Sequence, residues 1–402
     1  MSLTRRQLWI IIAAASVSGL LFGTRQSMSL FIGAINTSTG LGIAAISLAF
    51  ACGQLMWGLT QPFAGAFADR YGTARTIAIG AVMVVTGTVL TPYARTTWML
   101  ILLIGVVAAG GAGMAGLGVL MSAVARTVSV EKRGIASAWV NAGASFGQFA
   151  VVPLAQFSLS AIGWIGAITT IGFLALFALP LAWVLRGKPN PAQAMANTGA
   201  TSAGAAVRAA FGDASFIYLF IGFFVCGFHI AFIGTHLPGV VASCGLPPEV
   251  GAWSLALIGL FNIAGSFAAG WAIGRWRMKS VLAVLYASRA VAILIFLAMP
   301  KTTATFLLFA MVIGFTYLAT VPPTIGLIAK LFGPRFMATL FGIVMLSHQL
   351  GGFLGAWLGG KLFEATGGYD WMWYADIMLA IGAALIHLPI RETRRPPVPV
   401  AA

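Results

Sequence analysis

Long apolar runs separated by short polar segments dominate the pattern of this chain. A helix needs about 20 mainly apolar residues to cross the hydrocarbon core of a bilayer. Twelve runs approach or exceed that length: 8–35, 43–67, 76–93, 98–125, 134–160, 163–185, 214–241, 250–274, 281–299, 304–329, 336–362 and 371–389. We therefore predict an all-α membrane protein with twelve transmembrane helices.

The longest polar interruption divides these runs into two sets of six. It covers residues 186–212 and is rich in Pro, Ala and Ser. Similar short basic loops, "GAFADRYGTAR" at 65–75 and "GWAIGRWRMKS" at 270–280, occupy the same place in each set. The pattern predicts two pseudo-symmetric halves, 1–185 and 213–402, joined by a cytoplasmic linker at 186–212.

Composition excludes a soluble enzyme. Of the 402 residues, 60% are hydrophobic and only 8% are charged, whereas soluble domains carry roughly 25% charged residues. The first run is too long for a cleaved signal peptide, and we interpret it as a retained first helix. The three cysteines, Cys52, Cys226 and Cys244, have no paired spacing and are interpreted as small apolar fillers.

The net charge of +15 is distributed as in a membrane protein. With a cytoplasmic N-terminus, 18 of the 23 Lys and Arg residues fall on the cytoplasmic side, as the positive-inside rule requires. They are Arg5, Arg6, Arg70, Arg75, Arg126, Lys132, Arg133, Arg186, Lys188, Arg208, Arg275, Arg277, Lys279, Lys330, Arg335, Arg391, Arg394 and Arg395. We expect a monomer in a bacterial inner membrane with both termini cytoplasmic, and we expect no nucleic-acid partner.

The loop at 65–75 carries a family resemblance. It resembles the signature loop of the major facilitator superfamily, G-x-x-x-D-R-x-G-x-x-R, through Gly65, Asp69, Arg70, Gly72 and Arg75. The glycines permit a tight turn, and Asp69 can cap a neighbouring helix or pair with an arginine. The resemblance implies that these five residues form a conformational latch at the cytoplasmic side.

Two further segments resemble the monocarboxylate transporter family, and the length of the chain and the stretch "RQSMSLF" at 25–31 resemble its bacterial branch. The two segments are "KRGIASAWVNAG" at 132–143 and "GGKLFEATGGYDWMW" at 359–373. The acidic-glycine-aromatic motif of that family's first helix is absent. In the eighth helix, Asn262 and Ser266 stand where the family usually has an aspartate and an arginine. The family's proton-linked aspartate is therefore not carried over to this chain.

Two arginines lie inside predicted membrane helices. Arg25 lies about 26 Å along the first helix, and Arg289 lies about 14 Å from the cytoplasmic end of the ninth. The eight acids are all placed near the two surfaces, with Asp376 on the outer side. An unpaired charge at the bilayer centre costs about 2.5–3.5 kcal/mol, so these arginines need an anion, backbone carbonyls or water.

A small organic anion satisfies this requirement, because a guanidinium group binds a carboxylate in bidentate fashion. We therefore predict that Arg25 and Arg289 bind substrate. Two structural alternatives remain open: Arg25 can extend to the outer interface, and Arg289 can bind carbonyls at a helix end.

Polar side chains at mid-depth complete the candidate substrate site. They are His229 and His348, with His348 as a candidate proton carrier, together with Gln148, Asn262, Tyr317 and Gln349. Each can instead bond only to a neighbouring helix. We expect Pro322 and Pro323 to kink the tenth helix. We expect no metal and no cofactor.

The sequence thus predicts a secondary transporter of a small organic anion, such as a monocarboxylate, that works by alternating access and can be proton-coupled. A drug or metalloid efflux transporter of the same fold is the alternative. We do not expect an enzyme, because the chain carries no nucleophile elbow, metal-ligand cluster or phosphate-binding loop.

Overall fold

The computed structural model describes residues 4–129, 132–187, 200–333 and 336–392. We number the membrane helices α1–α12. Their bounds are Arg5–Thr39 (α1), Ile43–Tyr71 (α2), Thr73–Tyr93 (α3), Thr97–Ala125 (α4), Arg133–Val184 (α5 and α6), Ala214–Ser243 (α7), Pro248–Ala272 (α8), Met278–Ala298 (α9), Thr303–Phe332 (α10), Met337–Thr366 (α11) and Asp370–His387 (α12).

The predicted count of twelve helices agrees with the structure. Ten of the described segments are long and apolar enough to span a membrane. Gly163, at φ 72° and ψ 173°, divides the 52-residue run Arg133–Val184 into α5 and α6. The 18-residue α12 is the twelfth. A separate short helix, Ala200–Phe211, precedes α7.

Helix α10 is interrupted near its middle. Its first part ends at Thr316, and its second part begins at Val321 with Pro322 and Pro323 in the first turn. Proline lacks a backbone N–H and is tolerated in a first turn, where that donor would have no helical partner. The predicted kink is thereby confirmed, and it frees backbone carbonyls of residues 316 and 317 inside the bundle.

Glycines bring two helix pairs into backbone contact. Between α1 and α5, a Cβ at Gly19 would lie 2.7 Å from the carbonyl oxygen of Gly143, and a Cβ at Gly147 would clash with the backbone of Gly19. Between α7 and α11, Gly227 packs directly on the backbone of His348. In a bilayer the hydrophobic effect does not drive helices together, and small residues allow the close van der Waals packing that does.

The two halves meet along α2–α11 and α5–α8. The Glu364 carboxylate accepts the Ala44 backbone N–H at 2.9 Å, and Ser47 packs against Gly360. Across α5 and α8, Asn262 donates to Ser145 at 2.8 Å. We call this set of contacts the seam. It lies toward the end where α2 begins and α11 ends.

The other end of the bundle contains the start of α1 and the segment between α6 and α7, and we call it the linker end. The two halves have fewer close contacts there. A Cβ at Gly65 of α2 or at Gly342 of α11 would meet no atom within 4 Å. Phe63 of α2 is 74% exposed. The described contacts between the halves named here therefore lie along the seam, and these positions of α2 and α11 add none at the linker end. Residues 188–199 of the predicted linker and the predicted cytoplasmic charges Lys188, Arg335, Arg394 and Arg395 lie outside the described residues.

Candidate functional site

A cavity of about 90 Å³ lies between the two halves. Its walls come from α1 to α4 on one side and from α7, α10 and α11 on the other. The lining residues are Phe22, Thr24, Arg25, Gln26, Met28, Ser29, Phe50, Gly53, Gln54, Trp57, Val84, Thr88, Ile104, Ala108, Ala109, Ile230, Ala231, Gly234, Thr235, Tyr317, Leu318 and His348. The volume is below the 300–1,000 Å³ typical of sites for drug-sized ligands.

Arg25 is the charged residue of this cavity. Its Nη2 donates to Oε1 of Gln54 at 2.6 Å, and Nη1 donates to Oε1 of Gln26 at 3.3 Å. The guanidinium carbon lies 4.8 Å from the centre of a Trp57 ring. The ion pairs among the described residues involve other side chains. Arg25 is therefore held by neutral groups and retains its charge inside the bundle.

Tyr317 and His348 face Arg25 from the other half. The Tyr317 hydroxyl donates to the carbonyl of Ile230 at 3.0 Å, and Tyr317 and Arg25 line the same cavity from opposite halves. His348 is 94% buried, and its Nδ1 has no hydrogen-bond partner among the described residues. The cavity thus contains a cation, a phenol and an imidazole.

Arg289 lies outside the cavity wall and holds the break in α10. Its guanidinium donates to the carbonyls of Thr316 and Tyr317, the latter at 2.8 Å, and contacts Sγ of Cys226 at 3.7 Å. Only 2% of Arg289 is exposed. In this conformation Arg289 therefore binds carbonyls at a helix end, which is the structural alternative to substrate binding given in the sequence analysis.

The sequence places Asp376 near the outer end of the twelfth helix but does not show that its side chain faces the helix bundle. This residue of α12 is fully buried, and its Oδ1 lies 3.5 Å from Nε2 of His229 in α7. Neither carboxylate oxygen has a hydrogen-bond donor among the described residues. The charge of Arg289 acts on both members of the pair. Two turns into a helix, sequence position gives depth but not the face that a side chain occupies.

Besides Arg289 and His229, three further predicted substrate ligands lie away from the cavity wall. Gln148 of α5 donates to the carbonyl of Leu255 in α8 at 2.7 Å, and Asn262 accepts the Leu318 N–H at 2.9 Å. Both belong to the seam. Gln349 is buried against Gly58 of α2, with its amide unpartnered among the described residues. Within the described residues, no group of three His, Cys, Asp or Glu side chains is arranged to hold a metal.

The predicted latch residues lie at the linker end, where α2 ends and α3 begins. Gly65, Asp69 and Arg70 belong to α2, Gly72 connects the two helices, and Arg75 is in the first turn of α3. Gly72 has φ 94°, a conformation that favours glycine. Arg126 of α4 donates to Oγ1 of Thr73 at 2.7 Å. Burial lowers the pKa of Arg126, and the nearby charge of Asp69 partly opposes this shift. Arg70 and Arg75 are exposed.

Sequence reasoning missed Gln54, Trp57 and Gln26, which surround the Arg25 guanidinium. Gln54 and Trp57 are three residues apart and therefore share one face of α2. A glutamine inside an otherwise apolar run was the available signal. The sequence could not show that this face meets α1.

Sequence comparisons identify relatives among membrane transporters. The profile of the Major Facilitator Superfamily matches residues 11–356 and 219–401. An uncharacterized MFS-type transporter, YcxA of Bacillus subtilis, is 25% identical over 81% of this chain and 80% of its own length. Monocarboxylate transporter 13 of Rattus norvegicus is 24% identical over 95% of this chain and 89% of its own length. The oxalate:formate antiporter of Oxalobacter formigenes is 25% identical over 44% of this chain and 42% of its own length.

Structural comparisons give the same fold. A crystal structure of a D-xylose-proton symporter superposes with a TM-score of 0.74 at 17% identity, covering 96% of this chain and 98% of that one. A bacterial homologue of the lysosomal transporter Spinster, in an inward-facing unoccupied conformation, gives a TM-score of 0.74 at 16% identity, with 96% and 97% covered. Together with the profile match and the arrangement of α1–α12, these similarities show that the chain belongs to the Major Facilitator Superfamily, a family of multi-pass membrane transporters.

Proposed function

We propose that this protein is a secondary active transporter of a small organic anion, of the monocarboxylate class, and that Arg25 binds the carboxylate. The observation that carries the proposal is the position of the Arg25 guanidinium, in the cavity between the halves with glutamines and an indole as neighbours. A guanidinium group without a protein counter-ion at this depth is best neutralised by an anionic ligand.

The geometry of Arg25 favours a carboxylate. Gln54 takes one N–H of Nη2, and the contact of Nη1 with Gln26 is long at 3.3 Å. N–H donors therefore remain for a two-oxygen acceptor. Tyr317 and His348, across the cavity, supply groups for a second polar end of the substrate, such as a hydroxyl or keto oxygen.

Cavity size and relatives support a short substrate. The cavity of about 90 Å³ suits a molecule of a few heavy atoms better than a drug. Two of the reported relatives are named as carriers of monocarboxylates or of oxalate and formate. Drug or metalloid efflux remains the alternative, and no feature of the cavity favours it.

We further propose that transport is coupled to protons through the buried pair His229–Asp376. The pair can share one proton, and its carboxylate and imidazole lack other hydrogen-bond partners among the described residues. The charge of Arg289 acts on this pair, and the same guanidinium donates to the carbonyl of Tyr317, which lines the cavity. A change of charge on the pair therefore changes the strength of the hydrogen bonds from Arg289 to the carbonyls of Thr316 and Tyr317. His348 is the second candidate proton carrier, because it contacts the cavity directly.

In the proposed cycle the two halves rock around the bound anion. The linker end faces the cytoplasm of a bacterium, as the basic loops favour, and both termini lie on that side. The seam opens when the linker end closes, with Gly65, Asp69, Arg70, Gly72 and Arg75 forming the latch that stabilises the closed linker end. A single chain contains both halves, 1–185 and 213–402, and therefore the whole cavity between them. The functional unit is accordingly a monomer.

The test is uptake by proteoliposomes that contain the purified full-length protein. The substrates are radiolabelled formate, acetate, lactate, pyruvate and oxalate, with and without a pH gradient. We expect saturable uptake of at least one of them. In Arg25→Gln we expect at least a tenfold loss of uptake, since a hydrogen-bonded charge pair contributes about 1.5–3 kcal/mol.

Arg95→Gln is the matched control, because it also removes one arginine but lies in the exposed segment between α3 and α4. We expect wild-type uptake from this variant. Equal uptake by Arg25→Gln and wild type would remove Arg25 from the binding site. Export of organic cations with no carboxylate uptake would favour the efflux alternative.

A further inference from the structure

A second cavity, of about 500 Å³, lies at the linker end of the N-terminal half. It is formed where the start of α1, the end of α4 and the end of α6 meet. Its lining residues are Arg5, Arg6, Trp9, Ile10, Ala123, Arg126, Thr127, Trp183, Val184, Leu185 and Arg186. We call it the arginine pocket, because four arginines surround it.

We propose that the arginine pocket binds the phosphate headgroup of an anionic phospholipid. Four arginines line one concave site, and the described residues place no carboxylate within 4 Å of their guanidinium groups. Asp69 is the acid whose charge acts on Arg126. The pocket therefore has an excess of positive charge that a phosphate neutralises.

One of the four arginines is fixed in place by the fold. Arg126 donates through Nη2 to Oγ1 of Thr73 and, at 3.2 Å, to the carbonyl of Leu185. Gly187 packs against the same guanidinium, and a Cβ there would lie 2.5 Å from its Nε. The base of the pocket is thus a preformed cation, and the exposed Arg5, Arg6 and Arg186 can close over a ligand.

The pocket faces away from the transport cavity. Trp9 and Arg25 are 16 residues apart on α1, which at 100° per residue places them about 160° apart around the helix. The substrate site and the arginine pocket are therefore on different sides of α1. An anion in this pocket is not on the transport route.

The aromatic residues of the pocket favour a lipid over a free anion. Trp9 and Trp183 are 61% and 66% exposed, and the Arg186 guanidinium stacks on the Trp183 ring at 4.4 Å. Tryptophan is enriched at the level of lipid headgroups, and basic pockets between membrane helices bind anionic headgroups. Val184, which lines the pocket, and Leu8, which precedes the lining residue Trp9, are exposed apolar side chains that can contact acyl chains.

The experiment compares lipid binding by two variants with the same loss of charge. In Arg6→Gln/Arg186→Gln, two exposed arginines leave the pocket while Arg126 keeps its structural bonds. In the control, Arg208→Gln/Arg277→Gln, two exposed arginines leave the linker end of the other half. Native mass spectrometry of the full-length protein measures the occupancy of added dioleoyl phosphatidylglycerol and, separately, of dioleoyl phosphatidylcholine.

We expect wild type and the control to retain one phosphatidylglycerol molecule more tightly than phosphatidylcholine. We expect the pocket variant to bind phosphatidylglycerol about 10- to 30-fold more weakly, from the contribution of each arginine near an anionic surface. Equal weakening in both variants would reduce the effect to general surface charge and overturn the proposal. Displacement of the lipid by equimolar inorganic phosphate would assign the pocket to a free anion instead.

Discussion

The Arg289 guanidinium donates a 2.8 Å hydrogen bond to the backbone carbonyl of Tyr317, while the ring of Tyr317 lines the cavity that contains Arg25. Arg289 thus holds the interrupted turn of α10, whereas Arg25 lines the cavity and contacts only neutral side chains there. Two charges that looked equivalent in the sequence have different surroundings.

The role of Arg289 predicts a loss of stability in Arg289→Gln. Glutamine cannot satisfy both the Thr316 and Tyr317 carbonyls, and a buried unpaired acceptor costs about 1–3 kcal/mol. We expect a lower midpoint of thermal unfolding in detergent, with partial rescue in Arg289→Lys. A midpoint equal to that of wild type would mean that the α10 break is held by other groups.

The neutral surroundings of Arg25 predict the effect of Gln54→Glu. This change is nearly isosteric and puts a carboxylate 2.6 Å from the guanidinium. The internal carboxylate then competes with the substrate, and we expect at least a tenfold rise in KM for uptake. Gln61→Glu, seven residues farther along α2 and outside the cavity wall, is the control. The idea fails if both variants raise KM equally.

The buried pair predicts a change in the pH profile of uptake. In Asp376→Asn the pair can no longer exchange a proton between carboxylate and imidazole. If wild-type uptake rises as the external pH falls, we expect that rise to be lost while exchange of labelled for unlabelled substrate persists. The measurement is initial uptake rate between pH 5 and 8, a range chosen to span the usual titration of histidine. A pH profile that shifts only in His348→Gln would assign the proton to His348.

The glycine contacts predict unequal effects of two alanine substitutions. In Gly147→Ala the new methyl group would overlap the Gly19 backbone, so α1 and α5 must separate. Overpacking of this kind costs about 1–3 kcal/mol. Gly65→Ala meets no atom within 4 Å and gains helix propensity, so its unfolding midpoint should stay at or above that of wild type. Similar midpoints for the two variants would contradict the packing of α1 on α5.

The number of helices could be predicted from the sequence because each apolar run must cross the same hydrocarbon thickness. The prolines at 322 and 323 also marked the break in α10. The boundary between α5 and α6 was also predicted, since the runs 134–160 and 163–185 meet next to Gly163, whose φ of 72° ends the helix there. The seam could not be predicted, since every helix is apolar on most of its faces and periodicity gives no partner.

The candidate site was predicted only in part, because the sequence does not show which neighbour a polar side chain meets. Arg25, Tyr317 and His348 do line the cavity, whereas Gln148 and Asn262 join α5 to α8. A polar residue inside an apolar run must find a hydrogen bond, but the sequence does not show whether a ligand or a helix supplies it. The position of Asp376 near a helix end indicates its depth but not that its side chain faces His229 inside the bundle.

The seam between the halves has one further consequence. Its described polar contacts are hydrogen bonds to backbone groups and between neutral side chains, such as Gln148 to Leu255 and Asn262 to Ser145, with Glu364 as a carboxylate acceptor. Mobile counter-ions weaken attraction between opposite charges but hardly affect neutral hydrogen bonds. The equilibrium between a closed and an open seam should therefore depend little on ionic strength. We expect a bound ligand to shift that equilibrium more than salt does.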